Sequence, residues 1–98
     1  MFNGTIKVEL NKKDDTGLGK KVALERIPIK IAENYLLKTL KAKISEKFKD
    51  ELEMLSPEGF DLVWKDSDDD EVRISDNEGL LEALKEMDGK YKVYAMIG

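Results

Sequence analysis

The sequence from residue 60 to residue 74 reads FDLVWKDSDDDEVRI. Phe60, Leu62 and Trp64 alternate with other residues at the period of a half-buried β-strand. A shorter apolar alternation begins at Val72, after a run of polar residues. The stretch therefore predicts two short strands joined by a turn, and the turn is the most unusual feature of the chain.

This predicted turn is crowded with carboxylates, because five of the six residues from 66 to 71 are acidic. Like charges at such density repel one another by roughly 1 kcal/mol per close pair in water. A turn that only had to reverse the chain would gain nothing from this repulsion. We therefore expect a cation from outside the molecule, either a metal ion or a basic partner surface, to neutralise it.

The N-terminal part of the chain predicts a β-hairpin. Residues 5–10 alternate cleanly between apolar and polar side chains, and residues 22–29 form a second strand-like run. Residues 11–19 between them are mostly polar and include two glycines, which is typical of a loop. Pro28 has no N–H to donate to a neighbouring strand, so we expect the second strand at a sheet edge.

Two helices are predicted from apolar residues at helical spacing. Between Ala32 and Leu52, apolar residues recur every four positions, and lysines fill much of the remaining surface. Residues 56–59 then break the pattern. A capping box, with Ser75 at the N-cap and Glu78 three residues later, opens the second helix, and Asp88-Gly89 ends it.

Residues 91–97 alternate again and complete the chain as a final strand. The element order is thus ββαββαβ. It predicts an α+β fold in which a mixed sheet of about five strands carries two helices packed on one face. We expect residues 1–98 to form a single domain.

Composition excludes several function classes. The chain has 98 residues with no cysteine and no histidine, so it has no disulfide, no thiolate zinc site and no histidine base. We expect no catalytic residues, no cofactor and no dedicated metal site. No apolar run approaches the roughly 18 residues of a membrane span, and the N-terminus lacks a signal-peptide pattern. We therefore expect a cytoplasmic protein that binds no membrane.

Charge is distributed unevenly along the chain. The first 49 residues hold 12 basic and 6 acidic residues, whereas the last 49 hold 5 basic and 15 acidic residues. Two copies could therefore present complementary faces to each other. Alternatively, the two halves neutralise each other within one molecule. Composition alone leaves both possibilities open.

With the elements in this order, the sequence resembles the Phox-and-Bem-one (PB-one) family of interaction domains, which have a ubiquitin-like β-grasp fold. The resemblance covers almost the whole chain and is most specific in the acidic OPCA motif of that family. The matching residues are Trp64, Asp66, Asp68 and Asp70 in its first part, and Asp76 and Glu78 in its second part. Asp69 stands where the family usually has glycine. Aspartate tolerates the left-handed backbone better than most residues.

The resemblance implies that the chain binds domains of its own family by pairing opposite charges. It assigns the acidic contacts to Asp66, Asp68, Asp69, Asp70, Glu71, Asp76 and Glu78. It assigns the basic contacts to Lys7 on the polar side of the first strand and to Arg26 on the second strand, with Lys21 widening the basic face. A domain with both surfaces (type I/II) can form head-to-tail dimers or oligomers, as a scaffold or adaptor in signalling, autophagy or trafficking.

Three other functions compete with this interpretation. Asp66, Asp68 and Asp70 imitate the start of an EF-hand loop, but Glu71 and Asn77 stand where that loop needs a glycine and a bidentate acid. Weak divalent-cation binding by the turn stays open. Nucleic-acid binding is not expected, because the domain is acidic and its helical lysines lack interleaved aromatic residues. A monomeric ubiquitin-like adaptor that binds through an apolar sheet patch is the remaining alternative.

Overall fold

The computed structural model describes residues 1–13, 19–55 and 59–97. In chain order, its elements are β1 (Phe2–Lys13), β2 (Gly19–Ile31), a 3₁₀ turn (Glu33–Tyr35), α1 (Leu36–Lys47), α2 (Lys49–Leu55), β3 (Asp61–Lys65), β4 (Glu71–Ile74), α3 (Asn77–Met87) and β5 (Lys92–Ile97). The rest of the two predicted loops, residues 14–18 and 56–58, lies outside these ranges. None of the described helices is long and apolar enough to cross a bilayer.

The described strands form one sheet in the order β2-β1-β5-β3-β4. Neighbouring strands β1 and β5 run parallel, and the other neighbours run antiparallel, so the sheet is mixed as predicted. Strand β2 forms one edge, which confirms the position predicted from Pro28. Strand β4, which follows the acidic residues, forms the opposite edge.

One face of the sheet and the helices enclose the hydrophobic core. Along β1, Ile6, Val8 and Leu10 are buried, whereas Lys7 and Glu9 between them point to the other face. The buried residues of the helices are Leu36, Leu40, Ile44, Leu52, Leu80, Ala83 and Leu84, and Phe48 between α1 and α2 is also buried. Since the helices cover the inner face, the outer face is the one that can present charged side chains to a partner.

The first predicted helix is interrupted rather than continuous. A 3₁₀ turn precedes α1, and the helical backbone breaks at Phe48, where φ is −107° and ψ is 26°. Apolar residues spaced every four positions drift by about 40° per step around a helix with 3.6 residues per turn. From Leu36 to Leu52 that drift reaches about 160°. The break at Phe48 redirects the second segment, so that both Phe48 and Leu52 are buried in the core.

Strand β1 is longer than predicted. It continues through Lys13, so Asn11 and Lys12 belong to the hairpin rather than to the predicted loop. A β-bulge between Leu10 and Asn11 shifts the register there. The extra residue is Val22 on β2, since Leu10 pairs with Ala23 and Asn11 with Lys21. In the sequence the alternation stops at Leu10 because Asn11, Lys12 and Lys13 are all polar, although the strand continues.

The predicted capping box at the start of α3 is wrong by one residue. Asp76, and not Ser75, is the N-cap, and its Oδ1 accepts a hydrogen bond from the Gly79 N–H at 2.7 Å. Glu78 therefore occupies the second helical position, from which it makes no capping-box bond. Aspartate and serine are about equally good N-caps, so the local sequence did not distinguish the two. The predicted end of the helix is confirmed, because Asp88 has a left-handed backbone at the C-cap.

Candidate functional site

The acidic turn, defined as residues 66–71, is a tight loop that Asp66 organises. Asp66 Oδ1 accepts hydrogen bonds from the backbone N–H groups of Asp68 at 2.9 Å and Asp70 at 3.0 Å. The backbone closes the same loop, because the Asp66 N–H donates to the Asp70 carbonyl at 3.1 Å. Aspartate side chains that bond their own following backbone favour such turns. One oxygen of Asp66 therefore has a structural role.

Three carboxylates of the acidic turn converge. Asp66, Asp68 and Asp70 can each place one oxygen so that all three lie within 4.8 Å of one another. Asp66 is half-buried, whereas Asp68 and Asp70 are exposed to solvent. Oxygens at this separation can surround a metal ion or an ammonium group. As predicted, strands rather than the helices of an EF-hand flank the turn.

The cations nearest in the sheet to the acidic turn are engaged elsewhere. Arg73 on β4 forms a 3.1 Å ion pair with Asp61. Lys65 is the register partner of Glu71, yet its Nζ lies over the Tyr94 ring, 5.2 Å from the ring centroid. In the part of the chain that the structure describes, no lysine or arginine nitrogen lies within 4.0 Å of an acidic-turn carboxylate.

The other two predicted acids, Asp76 and Glu78, are exposed at the start of α3. Asn77, the first residue of this helix, lies between them. Its Oδ1 accepts a hydrogen bond from the Leu37 N–H at 2.9 Å, and its Nδ2 donates to the Glu33 carbonyl at 2.7 Å. One side chain thus ties the start of α3 to the start of α1. The two acids are consequently held on a defined backbone.

Three cations form a row across the outer face of the sheet, which we call the basic row. Lys7 on β1 lies directly opposite Arg26 on β2 and Lys92 on β5. Neighbouring strands are about 4.8 Å apart, so the three residues are immediate neighbours. A groove along this row is lined by Thr5, Lys7, Arg26, Gly89, Lys90, Tyr91 and Lys92, with no acidic residue among them.

The structure brings Lys7 and Arg26 together, as the resemblance implied, but not Lys21. Lys21 pairs with Asn11, four residues along β1 from Lys7 and therefore about 13 Å away. Conversely, Lys90 and Lys92 were not predicted from the sequence. The alternation of residues 91–97 places Lys92 on the outward side, but only the parallel pairing of β5 with β1 sets it beside Lys7.

Lys92 is held in place by two neighbours on the same face. Its Nζ lies 3.5 Å from Glu9 Oε1 and 4.9 Å from the centroid of the Tyr94 ring. Partial burial alone would lower the pKa of Lys92, but its contacts with Tyr94 and Glu9 outweigh that effect and raise the pKa above its ordinary value. Lys92 therefore stays positively charged throughout the neutral range.

The two charged surfaces are separate within one molecule. Strands β5 and β3 separate β1, which carries Lys7, from β4 beside the acidic turn. Three strand spacings amount to about 14 Å, and β3, which leads into the turn, lies two spacings or about 10 Å from β1. Among the described residues, no cation of the basic row lies within 4.0 Å of an acidic-turn carboxylate.

The family model of the PB1 domain matches residues 21–94. The chain belongs to the PB1 domain family. This is the Phox-and-Bem-one family that the sequence resembles, so the resemblance is confirmed. PB1 domains are protein-interaction domains rather than enzymes, and the chain is accordingly a protein-interaction module.

Two solved structures have the same fold as this PB1 domain. A cryo-EM structure of an AtNBR1-PB1 filament (L-type) is 21% identical, with a TM-score of 0.58 over 97% of this chain and 99% of the other. A structure of the AtNBR1-PB1 domain is 17% identical, with a TM-score of 0.57 and the same coverage. They confirm the predicted ubiquitin-like α+β fold. A comparison with curated proteins gives no significant match.

Asp69 is the position at which this PB1 domain departs from the family's glycine. Its backbone has φ at +63°, in the left-handed region. Most residues with a Cβ are strained there, although aspartate less than others, and glycine is not. The turn therefore keeps the conformation that the glycine would favour, at some cost in stability.

We expect Asp69→Gly to raise the free energy of unfolding by about 0.5–1 kcal/mol, because it relieves both the left-handed strain and one charge repulsion. Urea denaturation measures the change. Asp68→Gly is the matched control: it removes the same charge at a position without positive φ, so the flexibility of glycine should lower stability. If Asp69→Gly is no more stable than Asp68→Gly, the strain at Asp69 is not significant.

Proposed function

We propose that this PB1 domain binds other PB1 domains head to tail, with the acidic turn of one molecule receiving the Lys7 ammonium group of the next. One observation carries the proposal. Among the described residues, the convergent carboxylates of Asp66, Asp68 and Asp70 have no lysine or arginine partner. Charge-assisted hydrogen bonds from an incoming ammonium group would replace the mutual repulsion of these carboxylates by attraction.

The basic row supplies the complementary surface in this arrangement. Lys7 has Arg26 and Lys92 as immediate neighbours, so like-charge repulsion on this face is also relieved when an anion arrives. The groove along the row presents only cationic and neutral residues to an incoming carboxylate. We assign the central contact to Lys7 and place Asp76 and Glu78 of the partner at the periphery of the interface.

Because the acidic and basic surfaces differ, each contact between two molecules is heterologous. It leaves the basic surface of one molecule and the acidic surface of the other unoccupied. Such contacts close into rings or continue as open filaments, depending on the rotation between neighbours. A copy of this chain or a different PB1 domain can fill either surface. The structural similarity to an AtNBR1-PB1 domain solved as a filament supports continued association.

The alternative of an apolar docking patch finds little support in the described residues. The exposed large apolar side chains there are Met1, Val22, Tyr35 and Val72, which belong to four different segments. Isolated exposed apolar residues are common on soluble proteins and do not mark an interface. Charge pairing is the mode of recognition that the surface favours.

Sedimentation velocity over a concentration series, at low and high salt and with or without a chelator, tests the proposal. We expect association at low salt that weakens strongly near 1 M salt, where the Debye length falls to about 3 Å. A chelator should have no effect. Association that resists salt indicates an apolar interface, and association that the chelator abolishes indicates a metal-bridged one.

A further inference from the structure

Among the described residues, Glu9 is an anion that lies beside the cations of the basic row on the outer face of the sheet. Glu9 lies two residues along β1 from Lys7 and points to the same face, so the two side chains start about 7 Å apart. Glu9 lies between Leu24 and Tyr94 on the neighbouring strands. Its side chain is only 16% exposed. A partner carboxylate that docks on Lys7 would approach this fixed negative charge.

Both carboxylate oxygens of Glu9 are held by neighbours. Oε2 accepts a hydrogen bond from Asn11 Nδ2 at 2.8 Å, and Oε1 lies 3.5 Å from Lys92 Nζ. The Tyr94 ring packs against the same ammonium group. Glu9 is therefore a preorganised counter-ion of Lys92, whereas Lys7 and Arg26 have no acidic partner among the described residues.

We propose that Glu9 is an internal competitor for the partner's carboxylates, which neutralises Lys92 and so limits how tightly the basic row binds a second PB1 domain. This inference rests on the proposed head-to-tail pairing. It makes Glu9 a determinant of affinity that does not need to contact the partner. Removing its charge should release Lys92 as a third cation for the incoming acids and remove a repulsion beside Lys7.

The test uses two variants that can form only a 1:1 pair. Asp68→Ala/Asp70→Ala has an impaired acidic turn but keeps Asp66, and serves as the basic partner. Lys7→Ala has an impaired basic row and serves as the acidic partner. Isothermal titration calorimetry then measures one interface, with and without Glu9→Gln in the basic partner. Glutamine keeps an oxygen that can accept the Asn11 hydrogen bond.

We expect Glu9→Gln to tighten binding by about 2- to 5-fold, the range of partly exposed ion pairs. Lys92→Ala alone should weaken binding by a similar factor, because it leaves the charge of Glu9 uncompensated beside Lys7. In the Glu9→Gln background, Lys92→Ala should cancel the gain. Glu25→Gln is the control for net charge: Glu25 is exposed on β2, and its register partner is the inward-pointing Val8.

Several outcomes overturn the inference. Binding that is unchanged or weaker with Glu9→Gln shows that Glu9 orients Lys92 for the partner or has no role. A gain that survives Lys92→Ala, or that Glu25→Gln reproduces, shows a general charge effect. In these cases the head-to-tail pairing stands. If the two partners without Glu9→Gln do not bind each other, the pairing itself is wrong, and this inference fails with it.

Discussion

Lys7→Ala is expected to leave the protein monomeric at micromolar concentrations at which the parent associates. Lys7 lies at the centre of the basic row, and in the proposed complex its ammonium group is surrounded by carboxylates. Truncating one partner of a buried, hydrogen-bonded charge pair typically costs about 2–5 kcal/mol, or roughly 30-fold to several thousand-fold in affinity. Sedimentation equilibrium on the purified variant measures this loss.

The same experiment applies to the acidic side. Asp68→Ala removes one of the convergent carboxylates without touching the Asp66 side-chain bonds that organise the turn, so it should weaken association as strongly as Lys7→Ala. Glu46→Ala is its control, since Glu46 is exposed on α1. Lys12→Ala controls for Lys7→Ala, because Lys12 lies on the same strand about 16 Å away. Equal losses of affinity in the variants and in their controls would show that association depends only on the net charge of the protein.

Asn77→Ala is expected to lower the free energy of unfolding by about 1–3 kcal/mol, a large share of the roughly 5–15 kcal/mol of a typical domain. Asn77 makes two hydrogen bonds to the backbone that precedes and opens α1, and both span more than 35 residues of chain. Alanine leaves the Leu37 N–H without its acceptor, and helix N-termini have no intrahelical partner for these donors. Urea denaturation measures the loss.

Asn77→Asp distinguishes the contributions of the two hydrogen bonds that Asn77 makes. Aspartate retains an oxygen that can accept from the Leu37 N–H, but it cannot donate to the Glu33 carbonyl. Its stability should therefore lie between those of the parent and Asn77→Ala. A loss below about 0.5 kcal/mol for Asn77→Ala, the usual range of surface substitutions, would show that packing alone positions the start of α3.

Short-range periodicity accounts for most of what the sequence predicted correctly. Alternation at Ile6, Val8 and Leu10 identified the inward face of β1, and Pro28 identified the edge strand. The apolar residues from Leu36 to Leu52 identified the helical core. Each of these features depends on the side chains of one segment, which is why one sequence suffices to predict them.

Features that depend on two distant segments were not predicted. The parallel pairing of β1 with β5 places Lys92 beside Lys7, and the position of α3 against α1 is what gives Asn77 its partners. The choice of Asp76 over Ser75 as N-cap was not predicted either, because aspartate and serine are about equally good N-caps.

The central claim is that the acidic turn of one molecule binds the basic row of another. Mixing Lys7→Ala with Asp68→Ala/Asp70→Ala in sedimentation equilibrium tests it most directly, because each variant keeps only one intact surface. We predict that each variant alone sediments as a monomer and that the equimolar mixture forms a salt-sensitive dimer and nothing larger. A mixture that stays monomeric at low salt, while the parent associates, would contradict the claim.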